Sequence, residues 1–225
     1  SFLASPVKME TKSIYPVENY GSAMAPFYST LSIWVGGIVL VAMMKVTLSE
    51  ERKKKLHHVK NYQIYFGRYL LFFIMGLIQS GLICLGDLFF LGIQCEHPFL
   101  FLLAGWVSSI VYVNIIYTFT VSFGDVGKAV CVVLLVMQVA GSGGTFPIEV
   151  APEIFRKIYP LLPFTHSMTA MRECIAGFYG YTYWIELGKM GLFLCASLFL
   201  GLVLRKPVIR LNELFIEKLE STKLM

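Results

Sequence analysis

The stretch 45–68, KVTLSEERKKKLHHVKNYQIYFGR, decides how this chain folds. It carries Lys45, Arg52, Lys53, Lys54, Lys55, Lys60 and Arg68, and it separates two apolar runs, 24–44 and 69–93. Each run is long enough to cross a hydrocarbon core as a helix, which takes about 20 residues. Connecting loops so rich in Lys and Arg stay on the cytoplasmic side of a membrane, and that anchor orients everything else. Within the loop, Ser49 followed by Glu50 and Glu51 predicts the start of a short helix.

Working outward, three further spans are predicted over 99–122, 128–142 and 183–204. The turn from Gln94 to Pro98 holds no Lys or Arg and belongs outside, whereas the turn ending at Lys128 belongs inside. Residues 147–182 also contain apolar pieces, but Pro152, Pro160 and Pro163 cut them short. A crossing there would strand Arg156, Lys157, Arg172 and Glu173 in lipid, at about 2.5–3.5 kcal/mol for each Lys or Arg. Without that crossing, thirteen cationic residues lie inside: the seven of the loop, Lys128, Arg205, Lys206, Arg210, Lys218 and Lys223. Five lie outside: Lys8, Lys12, Arg156, Lys157 and Arg172.

The expected fold is therefore all-α, a polytopic membrane helical bundle of five transmembrane helices, N-terminus out and C-terminus in. Residues 147–182 are expected to form a broken extracellular re-entrant hairpin before the last span, with a plain extracellular loop as the alternative. Residues 1–23 form an extracellular lead-in, 24–204 the transmembrane domain and 205–225 a cytoplasmic amphipathic tail. In that tail Val208, Leu211, Phe215 and Leu219 recur at helical spacing. An outside N-terminus with neither an initiator Met nor a signal peptide suggests the back part of a longer protein.

Composition agrees. The chain is 56% hydrophobic and 15% charged, with a mean hydropathy of +0.68, which excludes an ordinary soluble domain. The net charge of +5 reflects residues flanking spans. No basic face is interleaved with aromatics, so the expected partner is the lipid bilayer and not nucleic acid. The five cysteines have no metal spacing. Cys95 and Cys174 fall outside, where a disulfide between them is one possibility. His97 and His166 read as outward-facing surface residues. Gly124 to Lys128 lacks the spacer and final Ser/Thr of a phosphate-binding loop. No catalytic, metal or cofactor site is expected, nor enzymatic activity.

The polar residues in or near spans are Asp87, Gln79, Asn114, Gln138 and the pair Glu186 and Lys189. An intramembrane carboxylate such as Asp87 faces the bundle interior or water, so it either braces the fold or serves transport. Its shallow depth favours bracing, and interhelical hydrogen bonds account for the others. The aromatics Tyr28, Tyr69, Trp106 and Trp184 read as interfacial anchors.

The order of elements resembles the membrane half of ABC-2 type exporters, in which a cytoplasmic coupling loop follows an early span and a broken extracellular hairpin precedes the last. The hairpin pattern is carried here by Gly143-Gly144-Thr145-Phe146-Pro147, Tyr159-Pro160, Leu162-Pro163-Phe164-Thr165 and Ala170-Met171-Arg172. More narrowly, several stretches are similar to the C-terminal membrane domain of the YhgE/Pip (phage infection protein) family. They are Phe2 to Val7, Asn19 to Tyr28, Tyr65 to Tyr69, Leu85-Gly86-Asp87 and Ala140 to Pro147. The resemblance implies a permease-like subunit in a bacterial cell membrane, with a missing first span and a large extracellular region upstream. It also implies a homodimer that exports an apolar or amphipathic substrate with a separate ABC ATPase. That ATPase would dock on Arg52, Lys53, Lys54, Lys55, Lys60 and Arg68. An extracellular gate would be formed by Gly141, Gly143, Gly144, Pro147, Pro160, Pro163 and Arg172. The alternative is a membrane anchor for an extracellular stalk that acts as a phage receptor or secretion-assembly component.

Overall fold

Asn19 starts the first helix: its Oδ1 accepts the Ser22 N–H at 2.8 Å, satisfying a donor that the first turn leaves unpaired. The computed structural model describes residues 17–47 and 60–204. Arg52, Lys53, Lys54 and Lys55, the short helix expected from Ser49, and the tail lie outside the described residues. The helices are α1 (Tyr20–Met43), α2 (Asn61–Phe89), α3 (Pro98–Phe123), α4 (Asp125–Gly141), α5 (Glu153–Ile158), α6 (Pro163–Ala176) and α7 (Thr182–Phe199). Short 3₁₀ turns cover Ile148–Val150 and Tyr159–Leu161, and α7 runs on into a wider π-helical turn, Leu200–Leu204. No strand occurs among the described residues.

Four of these helices are long and apolar enough to cross a membrane: Tyr20–Met43, Tyr62–Phe89, Pro98–Phe123 and Thr182–Val203. The second begins well before the expected 69. Gln63 Oε1 accepts the Lys60 N–H at 2.9 Å, and Tyr65 and Tyr69 are buried, so a polar start is still held against the bundle. Arg68, assigned to the loop from sequence, is thus a helix residue whose Nη2 donates to the Thr47 carbonyl at 3.2 Å. Tyr69 is not an interfacial anchor either, because its hydroxyl donates into the bundle, to the Ile110 carbonyl at 3.2 Å. Proline opens both α3 and α6, where its missing N–H has no helical partner to lose.

Helix α3 is the axis of the molecule. It packs against α1, α2, α4, α6 and α7. Between bilayer helices, close packing and hydrogen bonds do the work that water exclusion does in soluble proteins. Trp34 of α1, Tyr112 of α3 and Phe164 of α6 form a buried aromatic trio with ring centroids 5.1–5.7 Å apart. Asn114 joins three helices: its Oδ1 accepts from Ser197 Oγ at 2.6 Å, and its Nδ2 donates to the Tyr65 hydroxyl at 3.3 Å. Ser167 of α6 shares hydrogen bonds with Ser108 of α3 and, at 3.4 Å, with Thr30 of α1. The outward faces are apolar, as lipid requires: Leu70, Ile74, Ile78, Leu82 and Leu85 on α2, and Val126, Val133 and Val136 on α4.

Residues 147–182 therefore hold two helices and two 3₁₀ turns, broken at the prolines. Helix α6 is no surface element. Phe164, Met168, Met171 and Ile175, spaced along one face, are all buried against the bundle.

Candidate functional site

The helices alternate in direction, so the bundle has two distinct ends. Cross-contacts at one end join the start of α1 to the α2–α3 connection: the Gln94 N–H donates to Ser22 Oγ at 3.0 Å, and the Glu18 N–H to Gln94 Oε1 at 2.9 Å. The same end receives the hairpin, where the His97 N–H donates to the Cys174 carbonyl at 3.1 Å. Lys45, Lys60, Arg68 and Lys128 gather at the opposite end, where Lys128 pairs with Asp125 at 2.9 Å.

At the hairpin end, α4 stops at Gly141 and the chain breaks through Ser142 to Pro147. Gly143 has a φ of +66°, a left-handed conformation that a side chain would strain. A Cβ on Gly144 would collide with the buried Phe27 ring of α1, so this position admits the chain only as glycine. Between the break, the first turns of α1 and the flank of α6 lies a cavity of about 540 Å³. Its walls include Met24, Pro26, Gly143, Gly144, Pro147 and Arg172. Arg172 Nη2 donates to the Gly143 carbonyl at 3.3 Å, which ties α6 to the break. Burial pushes the nearby Tyr159 phenol above its ordinary range, with the Arg172 guanidinium pulling the other way.

Behind the break the packing is incompletely satisfied. Gln138 Oε1 accepts the Phe164 N–H at 3.3 Å, tying α4 to the start of α6. Gln138 Nε2, Ser142 Oγ and Thr165 Oγ1 are buried without a hydrogen-bond partner among the described residues. Unpaired buried polar groups cost about 1–3 kcal/mol each, and native proteins retain few of them.

The gate residues expected from the resemblance divide between two roles. Gly143, Gly144, Pro147 and Arg172 line the cavity. Pro160, which is exposed, and Pro163, which is buried, lie outside that lining, and Gly141 packs on Leu162 and Phe155, where a Cβ would lie 2.8 Å and 3.1 Å from them. His166 corrects the sequence reading: it is 4% exposed, not outward-facing. Its Nδ1 lies 2.5 Å from Glu186 Oε2 and its Nε2 2.9 Å from the Pro160 carbonyl, while Lys189 Nζ reaches the other Glu186 oxygen at 2.6 Å. Glu173 is also fully buried and accepts the Tyr179 N–H at 2.6 Å. Neither had a local signal: both lie on the side of α6 opposite Phe164, Met168, Met171 and Ile175, and they are inside because nearly all of α6 is buried.

Asp87 accepts a hydrogen bond from Ser29 Oγ of α1. Gln79 is half-buried in a groove between α1 and α2, where its amide covers Gly36. Lys45, Lys60 and Arg68, the described cations of the basic loop, stand at the end away from the cavity. Cys95 and Cys174 are free thiols, and Cys95 Sγ donates to the Cys174 carbonyl at 3.3 Å. No group of His, Cys, Asp and Glu fit to hold a metal occurs among the described residues.

The sequence profile of the ABC-2 family transporter proteins matches residues 3–204. An "Uncharacterized protein YhgE" from Bacillus subtilis (strain 168) is 29% identical over 181 residues, which is 80% of this chain and 23% of that protein. The chain thus spans about a quarter of the length of the curated relative it matches. No solved structure matches. With a bundle of apolar helices, a proline-broken segment embedded before the last of them, and a profile match across nearly all of its length, the chain is a membrane protein that belongs to the ABC-2 family of transporters, as a YhgE-like domain.

Proposed function

We propose that the chain is the membrane-spanning part of an exporter in the bacterial plasma membrane, with five crossings, N-terminus out and C-terminus in. The fifth crossing is α4, whose 17 residues make about 25 Å of helix, slightly less than a hydrocarbon core. The orientation is supported by the gathering of Lys45, Lys60, Arg68 and Lys128 at one end. A separate ATPase docks there, on Arg52, Lys53, Lys54, Lys55, Lys60 and Arg68, and supplies the energy. Two copies pair, and the chain itself catalyses nothing.

The observation that carries this reading is the break at Gly143–Pro147, with its cavity at the end away from the basic residues and unpaired polar atoms behind it. A helix that stops at a glycine turn beside a cavity gives the chain a place to bend, and groups unpaired in this form would gain partners when water enters. Rocking of the bundle about this break would release an apolar or amphipathic substrate outward. To test it, the full-length protein is purified with candidate ATPases, and export is followed in Lys53→Glu/Lys54→Glu. An ATPase that co-purifies and is lost in the double variant is expected; absence of any such partner, with export unchanged, would overturn the reading.

A second reading, an anchor for an extracellular stalk recognised by phage or used in secretion assembly, draws support from one fact. The curated relative is about four times longer than the matched region. Exchanging this bundle for an unrelated membrane anchor would leave activity intact on that reading and abolish it on the first.

A further inference from the structure

The cavity at the hairpin end is chemically lopsided. Val17, Met24, Pro26, Phe146 and Ile175 give it apolar walls, yet it contains a guanidinium. Arg172 has five N–H donors, and among the described residues one acceptor meets them, the Gly143 carbonyl at 3.3 Å. Among the described residues no carboxylate lies within ion-pair distance of it. Arg172 is half-buried and its other N–H groups are not shut away from solvent, so an anion entering the cavity can accept hydrogen bonds from them. The N-terminal turn of α1 also borders the cavity at Ser22 and Ala23, so the positive end of a 24-residue helix adds to the same potential. A volume of about 540 Å³ falls within the range of small-molecule sites.

The geometry points to a binding site for an anionic amphiphile: a phosphate- or carboxylate-type headgroup held by the Arg172 fork, with the proximal part of an alkyl chain against Met24, Pro26 and Phe146. A planar guanidinium receives such oxyanions in pairs of parallel hydrogen bonds, and the walls discriminate a molecule with a tail from a free anion. As the site of the exported substrate it rests on the export reading above; as a binding site it stands by itself.

The test is a titration of the purified full chain in neutral detergent with dodecyl phosphate, with inorganic phosphate and dodecanol as the two halves of the probe. Saturable binding of dodecyl phosphate is expected, at least tenfold tighter than either half. Arg172→Gln should weaken it at least tenfold, and Arg172→Lys less. Ala23→Phe, on the exposed lip of the cavity, should weaken it without lowering thermal stability, and this variant decides the matter should Arg172→Gln fail to fold. Equal binding of inorganic phosphate would overturn the apolar half of the proposal, and equal binding of dodecanol the anionic half. Unchanged affinity in both Arg172→Gln and Ala23→Phe would move binding elsewhere and end the proposal. A co-purifying ATPase with no dodecyl phosphate binding removes this site and leaves export standing. Binding with no ATPase partner retains the site and removes export.

Discussion

His166 ties three pieces of backbone together, since its two ring nitrogens engage Glu186 of α7 and the Pro160 carbonyl at the bend before α6. Replacing it by Leu leaves the buried Glu186 carboxylate with Lys189 alone and takes the His166 partner from the Pro160 carbonyl. The expected loss is about 1–3 kcal/mol, seen as a lower melting temperature in detergent; an unchanged melting temperature would mean the pair contributes nothing. Asp87 is a milder case. It braces α2 to α1 through Ser29, and Asp87→Asn keeps an oxygen that accepts the same bond. Transport should persist while stability falls by at most about 1 kcal/mol. Abolished transport with unaltered stability would make Asp87 a working group instead. Asp87 was legible from sequence because a charge in an apolar run stands out. His166 was not, because Pro160 and Pro163 just before it made the stretch read as a broken surface segment and hid the helix that buries it.

At the scale of elements, the seam between α2 and α3 is set by small residues. A Cβ on Gly105 would run into Cys84 Sγ, whereas Gly188 of α7 has nothing within 4 Å. Gly105→Leu should overpack the seam and cost about 1–3 kcal/mol. Gly188→Ala should be neutral or stabilise by up to about 1 kcal/mol through helix propensity. Thermal unfolding of both variants side by side checks the contrast, and equal effects would mean that the seam tolerates bulk. The long helices were read from the lengths of the apolar blocks. The start of α2 was misplaced because its first two turns are aromatic and polar, burying Tyr65 and Tyr69 without raising hydropathy. Sequence spacing alone gave no measure of how far α6 sinks into the bundle. That depth depends on the hydroxyl contacts of Ser167 with Ser108 and Thr30, which no local pattern encodes.

For the whole molecule, the orientation is the proposal on which the exporter depends. Single cysteines at 54 and 156, introduced in a cysteine-free background, should be modified by impermeant maleimide only from the cytoplasmic and only from the external side, respectively. The reverse pattern would turn the map over and take the docking site with it. The asymmetry of charge was legible from the start, since it needs only residue counts and loop positions. The cavity was legible only in part: Gly143, Gly144, Pro147 and Arg172 were grouped from the resemblance, whereas the wall that the start of α1 adds is brought to them only by the packed bundle.

Helices α3 and α4 are joined by Gly124 alone, with a φ of +62°, and Gly127 presses on the Phe119 carbonyl across that corner. A joint this short would let α4 tilt about it, like a clock hand, more readily than slide. Over an arm of about 25 Å, a tilt of roughly 10° carries the tip some 4 Å sideways. A small push near Gly124 is thus magnified where the arm meets the glycine turn.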